Sequence, residues 1–315
     1  MSSSNTVPAK KQTFSVAIAT PSYQEFINNT LKDPERAKRF IASITSAVAI
    51  TPALQTCTPL TILAAGLTGE ALNLSPSPQL GQYYLVPFKQ KAKYDRSGNL
   101  ISPECVNAQF VLGYKGYIQL ALRSGQYADL DCMEIRDGEY LGKDVNTAKP
   151  RFRFVEDDEV RESLPVVGYM AYFEYLNGFR KCIYWSRQKM LSHADQFSQA
   201  FSAEAYHKLQ NGEIPDKDLW KYSSFWYKDF DGMAKKTLIR QLISKWGVMS
   251  TEMQRAIVSD TTTLSIDTKT GEIIPDQPSE LELAPETVQP VIEGTHDASA
   301  ADSMVESGQI DMSAL

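Results

Sequence analysis

The stretch "VVGYMAYFEYLNGFRKCIYW", Val166 to Trp185, is the clearest signal of secondary structure in this chain. Apolar and polar residues alternate on both sides of Asn177-Gly178. This dipeptide strongly favours a two-residue turn between antiparallel strands. The stretch therefore predicts a β-hairpin, and the fold must include antiparallel pairing.

Helices are predicted on both sides of the strand region. Proline at a first helical position favours helices over 21–31, 34–50 and 58–74. Strand-like segments follow at 81–94, 104–114, 127–135 and 151–155, and the remainder from Ser186 to Ile257 has a helical pattern with one break at Pro215. This order predicts an α+β fold, a single domain over 21–257 with a small, mostly antiparallel sheet and hairpins flanked by helices. Residues 1–20 are expected to form a flexible N-terminal arm.

Charge is distributed unevenly along the chain. The net charge is −6, but residues 258–315 contain 12 acidic residues and one basic residue, which leaves a net charge of +5 on residues 1–257. The composition of 258–315, rich in Thr, Ser, Pro, Asp and Glu, predicts a disordered acidic tail. Three roles for the tail stay open: an electrostatic brake on a polyanion site, an aid to solubility, or a docking peptide at its end "GQIDMSAL".

Three predicted elements carry basic faces. A helical wheel at about 100° per residue places Lys115, Gln119 and Arg123 within about 80° of each other. The period of two in a strand places Lys89, Lys91 and Lys93 opposite Tyr84, Val86 and Phe88. A third face carries Lys228, Lys235, Lys236 and Arg240. One such face is ordinary solvated surface, but three in a chain whose acidity is concentrated in a tail favour a polyanionic ligand.

The segment "GYKGYIQLALRSGQ", Gly113 to Gln126, combines a glycine pair with the start of a helix. Glycine permits close backbone approach, and a helix start offers unpaired N–H groups, so the pattern predicts an anion site in which Lys115 holds a phosphate. Tyr117 lies on the apolar side of the wheel and is expected in the core. For Tyr114, stacking on a base and packing in the core both stay open.

The chain lacks the usual patterns of catalysis. "GEYLGKD" at Gly138 has the wrong spacing for an ATP-binding loop, and His193, His207 and His296 match no catalytic or metal-binding motif. The acidic run "VEDDEV", residues 155–160, could supply the carboxylates of a metal-dependent nuclease, although a solvated loop explains it better.

The remaining composition predicts a cytosolic protein without metal or cofactor. Four widely spaced cysteines, Cys57, Cys105, Cys132 and Cys182, are expected to be reduced thiols. No apolar run approaches the roughly 20 residues that span a bilayer, so no contact with a membrane is expected.

Four motifs resemble the RecT family of phage single-strand annealing proteins. They are "AAGLTGEALNLSPSPQLGQYYLVPF", "GYKGYIQLALRSGQ", "MAKKTLIRQLISKW" and "EMQRAI", in this order between about Leu60 and Ile257. The segment from Val155 to Pro215 carries no motif of the family, and the loop from Tyr94 to Glu104 is expected to be peculiar to this chain.

This resemblance implies a protein that binds single-stranded DNA and the annealed duplex and pairs complementary strands for phage recombination without ATP. It also implies a homo-oligomer, a ring or helical filament, working with a phage 5′-to-3′ exonuclease and the host single-strand-binding protein in the bacterial cytoplasm. No bond is made or broken, so the protein is not expected to be an enzyme. A passive protector of single strands and a metal-dependent nuclease are the alternatives.

Overall fold

The computed structural model describes residues 13–95, 97–198, 200–260, 262–267, 270 and 272–276. The helices are α1 Phe14–Ala17, α2 Pro21–Leu31, α3 Pro34–Ile50, α4 Pro59–Ala71, α5 Tyr114–Arg123, α6 Asp158–Ser163, α7 Arg187–Phe197, α8 Ala203–Gln210, α9 Phe225–Lys228, α10 Phe230–Trp246 and α11 Thr251–Asp260, with 3₁₀ turns at Pro52–Thr56 and Asp216–Lys221. The strands are β1 Tyr83–Gln90, β2 Lys93–Tyr94, β3 Leu100–Ser102, β4 Cys105–Leu112, β5 Tyr127–Arg136, β6 Tyr140–Lys143, β7 Pro150–Phe152, β8 Val166–Tyr175, β9 Arg180–Ser186, β10 Thr263–Ile266 and β11 Ile273–Asp276.

The predicted hairpin forms two strands of a three-stranded antiparallel sheet in the order β5-β8-β9. Its turn contains Gly178 at a φ of +82°, a conformation that favours glycine. One face of the sheet packs against α10 and buries Tyr169, Ala171 and Phe173. The hairpin prediction is confirmed, but the turn has three residues, 176–178, and not two, because the N–H of Tyr175 donates to the carbonyl oxygen of Phe179.

A second antiparallel pair, β1 with β4, is prolonged by the short pair of β2 with β3. The end of this strand pair that contains Tyr83 and Phe110 is buried in the core, and the ring centroids of these two residues are 4.9 Å apart. Beyond Pro87 the pair leaves the core, and Tyr94 and Leu100 are 62% and 55% exposed. We call residues 88–104 the basic arm because of its lysines.

Both ends of the described chain are more ordered than the sequence suggested. Residues 14–20 were expected in a flexible arm, but they begin with α1, and Phe14 and Ile18 are buried. Residues 258–276 were expected to be disordered, but α11 continues to Asp260, and β10 pairs with β11. Burial of Leu264 and of Ile266 explains the second error, because a composition average does not detect two apolar residues that pack against α4. The rest of the predicted tail, 277–315, lies outside the described residues.

The predicted α+β class is confirmed: small antiparallel sheets are flanked by helices around one buried cluster. All four cysteines are unpaired, and burial raises the pKa of Cys57 and of Cys182 to about 11, so that both are protonated at neutral pH. None of the helices in the described part of the chain combines the length and the apolar character that a bilayer span requires.

Candidate nucleic-acid interface

The start of α5 is shaped by two glycines. Gly113 caps the helix without a side chain, and its N–H donates to the carbonyl oxygen of Gln82 at 2.8 Å. A Cβ at Gly113 would overlap the carbonyl oxygen of Gly81, and one at Gly116 would overlap that of Gln82. The glycines therefore permit close approach of the chain's own backbone before β1. The prediction that they make room for an anion finds no support in this packing.

A narrow cleft opens where β1, β4, α5, α9 and α10 meet; we call it the tyrosine cleft. It is lined by Tyr84, Val111, Leu112, Gly113, Tyr114, Phe225, Asp229, Gly232, Met233 and Lys236. It encloses about 30 Å³, enough for a water molecule but too little for a DNA base. A ligand larger than water must therefore lie at its mouth.

Two half-buried tyrosines give the cleft its aromatic character. The ring of Tyr84 lies 5.2 Å from that of Phe225, centroid to centroid. Burial raises the pKa of Tyr84, and the charge of Asp229 and the neighbouring Tyr114 raise it further. Tyr84 is therefore neutral at physiological pH and presents an uncharged ring.

Lysines surround the cleft, but they differ in what they contact. Lys115 is exposed, its ammonium lies 6.0 Å from the centre of the Tyr114 ring, and its stem passes near Gly81. Lys228 is also exposed. It lies on α9, separated from α10 by the non-helical backbone of Asp229, so the single wheel predicted for Lys228 through Arg240 is wrong at its first member.

The two adjacent lysines of α10 are engaged with carboxylates. Lys235 pairs with Glu134 of β5 at 2.8 Å, and Lys236 pairs with Asp260 of α11 at 2.8 Å. Asp260 is a buried carboxylate that also accepts hydrogen bonds from the N–H of Leu112 and the hydroxyl of Tyr117. Lys236 therefore neutralises a buried charge that ties α11 to β4 and α5.

The other residues of the predicted helical faces also differ in what they contact and in how exposed they are. Arg123 donates to the carbonyl oxygens of Leu72 and Asn73, both at 2.8 Å. Its guanidinium therefore binds the backbone just after the end of α4. Gln119 is half-buried on α5, and Arg240 is half-buried on α10, one turn beyond Lys236. Of the α5 face, Lys115 has the geometry that a phosphate contact requires.

The lysines predicted on one face of a strand lie in the basic arm, but the burial of β1 differs from the prediction. The buried side of β1 is the one with Tyr83 and Leu85, which is the predicted lysine face and not the face of Tyr84, Val86 and Phe88. Lys89 continues the buried side beyond the end of the core and pairs with Glu104 at 2.8 Å.

Beyond Lys89, Lys91 is exposed between the strands, and Lys93 begins β2. The arm thus combines basic residues with the exposed apolar side chains of Phe88, Tyr94 and Leu100.

Tyr84 and Phe225 were not predicted as site residues. Tyr84 belongs to a quoted motif, but the strand pattern placed it with Val86 and Phe88 on the face opposite the lysines, and no role in the site was assigned to it. The signal that could have found it is the adjacent pair Tyr83-Tyr84, because neighbouring strand residues point to opposite faces and one of the two must leave the core. Phe225 reaches the cleft from a segment 141 residues away, and no local pattern indicates this.

The model of the RecT family matches residues 38–274 of the chain, which is more than half of its length. The chain belongs to the RecT family. The YqaK protein of Bacillus subtilis (strain 168) is 33% identical over 282 residues, covering 87% of this chain and 83% of the relative. The RecT protein of Escherichia coli (strain K12) is 28% identical over 243 residues, covering 77% of this chain and 78% of the relative.

The extent of the RecT match agrees with the observed fold. It includes β10 and ends within β11, so the segment that composition assigned to a tail belongs to the family domain. Three of the four quoted motifs meet at the cleft: the first contributes Tyr84, the second Tyr114, and the third Met233 and Lys236. Membership in this family supports a general role in DNA annealing and recombination.

Proposed function

We propose that this protein binds single-stranded DNA across the tyrosine cleft and the basic arm and anneals it to a complementary strand without ATP. The match to the RecT family over residues 38–274 is the observation that carries the proposal. Half-buried tyrosines beside the exposed Lys115 supply the two kinds of contact that such binding uses, base stacking and phosphate neutralisation.

The mechanism needs no chemical step. Lysines neutralise the repulsion between two phosphate backbones, which otherwise opposes duplex formation, while stacked bases keep their hydrogen-bonding edges available. Because phosphates carry no sequence information, the protein anneals strands of any sequence. It acts as a homo-oligomer on the DNA in the bacterial cytoplasm, with a phage exonuclease that exposes the strand and the host single-strand-binding protein as partners.

Annealing is tested by mixing complementary single strands with the purified full-length protein in the absence of nucleotide. Duplex formation and strand length are followed together, with and without magnesium. Accelerated pairing of intact strands is the expected result. Slowed pairing would indicate a passive protector, and shortened strands would indicate a nuclease; either outcome overturns the proposal.

The contribution of Lys115 is tested by the Lys115→Ala variant. We expect weaker binding of all single strands and a dependence of log K on log salt that is flatter by about 0.7, the value for one phosphate contact on single-stranded DNA. Lys208→Ala is the matched control, because Lys208 is an exposed lysine on α8 that pairs with Glu204 within its own helix. Equal salt slopes for both variants and the unmodified protein would remove Lys115 from the interface.

A further inference from the structure

The environment of Lys235 differs from that of an exposed lysine that is available to bind a phosphate. Its side chain is 19% exposed and its ammonium is held by Glu134, whose side chain is 22% exposed. Burial lowers the pKa of Lys235, but the hydrogen bond to Glu134 and the charge of that carboxylate more than offset this effect, so the pKa is raised. Lys235 is therefore charged and fixed at neutral pH.

A phosphate at Lys235 would have to compete with Glu134, whose carboxylate accepts from the ammonium at 2.8 Å. Displacement of Glu134 would leave a mostly buried carboxylate with one remaining cation, Arg136 at the longer distance of 3.4 Å, which is unfavourable. The exposed Lys115, by contrast, has no carboxylate within ion-pair distance among the described residues. The two lysines nearest to Tyr114 thus have different roles.

The fixed ammonium of Lys235 lies 5.1 Å from the centre of the Tyr114 ring, within the range of a cation–π contact. Three elements meet in this arrangement, since Glu134 is on β5, Lys235 on α10 and Tyr114 at the start of α5. The contact holds the tyrosine ring against α10. Because the tyrosine cleft is too small for a base, the half-buried ring can meet a base only at the mouth of the cleft.

We propose that Tyr114 is a stacking platform for one base of single-stranded DNA and that Lys235 is a positioning residue that holds this platform, not a phosphate contact. This inference rests on the proposed function. Lys115, whose ammonium lies 6.0 Å from the same ring, binds the phosphate next to the stacked base. Platform and phosphate contact together form a site for one nucleotide.

The platform is tested with two fluorescent probes of equal length, oligo(dT) and an abasic deoxyribose-phosphate strand, against the full-length protein. Stacking on an aromatic ring contributes a factor of about 5 to 150 per base, so the unmodified protein should prefer oligo(dT). Tyr114→Leu, which keeps an apolar side chain, should reduce this preference about fivefold or more. Lys235→Met should also reduce it, with an unchanged salt slope. The double variant should add little to either single change, because both act on one contact.

Glu134→Gln separates the two roles of Lys235 by the sign of its effect. A positioning lysine loses its anchor in this variant, so the preference for oligo(dT) should fall. A phosphate-binding lysine would be released, so both probes would bind more tightly and the salt slope would steepen. Thermal unfolding of each variant shows that it is folded, and if Lys235→Met does not fold, Glu134→Gln carries the test alone.

The outcomes also distinguish this inference from the proposed function. An unchanged preference for oligo(dT) in Tyr114→Leu and Glu134→Gln would overturn the platform, while normal annealing by the unmodified protein would leave the proposed function standing. A flatter salt slope in Lys235→Met would make Lys235 a phosphate contact and overturn its positioning role. If the unmodified protein bound neither probe, both proposals would fail.

Discussion

At the scale of single residues, Lys236 shows how a basic face can serve the fold. Its side chain is 11% exposed, and that of Asp260 is 1% exposed. Lys236→Ala leaves this carboxylate buried without a cation, so we expect the free energy of unfolding to fall by about 3–5 kcal/mol. Urea denaturation measures the change. Lys208→Ala, the exposed control, should unfold at the same urea concentration as the unmodified protein.

Equal stability of Lys236→Ala and the unmodified protein would contradict this account. Asp260 would then have to be neutralised or hydrated in another way. The DNA-binding role that the sequence suggested for Lys236 would then be tested directly. Lys236→Ala should change the salt slope of DNA binding without changing the stability.

Residue patterns located the charges of this protein but not their partners. The wheel correctly separated Lys115 from the buried Tyr117. It could not show that Arg123 binds carbonyl groups about 50 residues away, or that Lys235 pairs with Glu134 across 101 residues. A wheel describes one element, whereas an ion pair depends on which elements pack together. The distinction between binding and structural lysines is therefore tertiary information.

At the scale of elements, prediction succeeded where the signal was local. Proline at the first position marked α2, α3 and α4, and Asn177-Gly178 marked the turn between β8 and β9. It failed for α1 and for the pair of β10 with β11. Each of these elements is only four residues long, too short for a clear sequence pattern. α1 and β10 are stabilised by burial against α4, and β11 by its pairing with β10, not by their own propensity.

Two truncated chains test where the folded domain ends. A chain that ends at Val258 lacks Asp260, Leu264 and Ile266, so it loses the partner of Lys236 and two core side chains worth about 2–5 kcal/mol each. We expect it to be insoluble or to lose its cooperative thermal transition, measured by circular dichroism. A chain that ends at Asp276 should melt at the temperature of the full-length protein. Identical melting of the two truncated chains would show that β10 and β11 do not stabilise the domain.

At the scale of the whole molecule, the corrected boundary changes the balance of charge. Four of the acidic residues once counted with the tail belong to the folded domain: Asp260, Asp267, Glu272 and Asp276. Residues 277–315 carry eight acidic residues and no lysine or arginine, and residues 1–276 carry 30 acidic against 32 basic residues, a net charge of +2. Attraction of the whole domain for a polyanion is therefore weak, so the proposed DNA binding would depend on local clusters such as Lys115 with the basic arm.

The same balance limits what residues 277–315 can do to DNA binding. Eight charges over 39 residues are on average at most about 16 Å apart, the spacing of a fully extended chain. At 0.15 M salt the screening length is about 8 Å, so these charges act singly, whereas at 0.01 M it is about 30 Å and they act together. As an electrostatic brake, the covalently attached segment would compete with DNA at high effective concentration. We expect removal of 277–315 to tighten oligo(dT) binding at 0.01 M salt and to leave it unchanged at 0.15 M.

A matched variant separates charge from mere length in this experiment. Replacing the eight acidic residues of 277–315 by Asn and Gln keeps the segment but removes its charge. An electrostatic brake requires this variant to bind as tightly as the truncated chain at 0.01 M salt. If the full-length, neutralised and truncated proteins bind equally at low salt, the segment does not compete with DNA. Its acidic residues would then serve solubility or the docking of a partner, because a charge that leaves affinity unaltered at a screening length of about 30 Å does not reach the cleft.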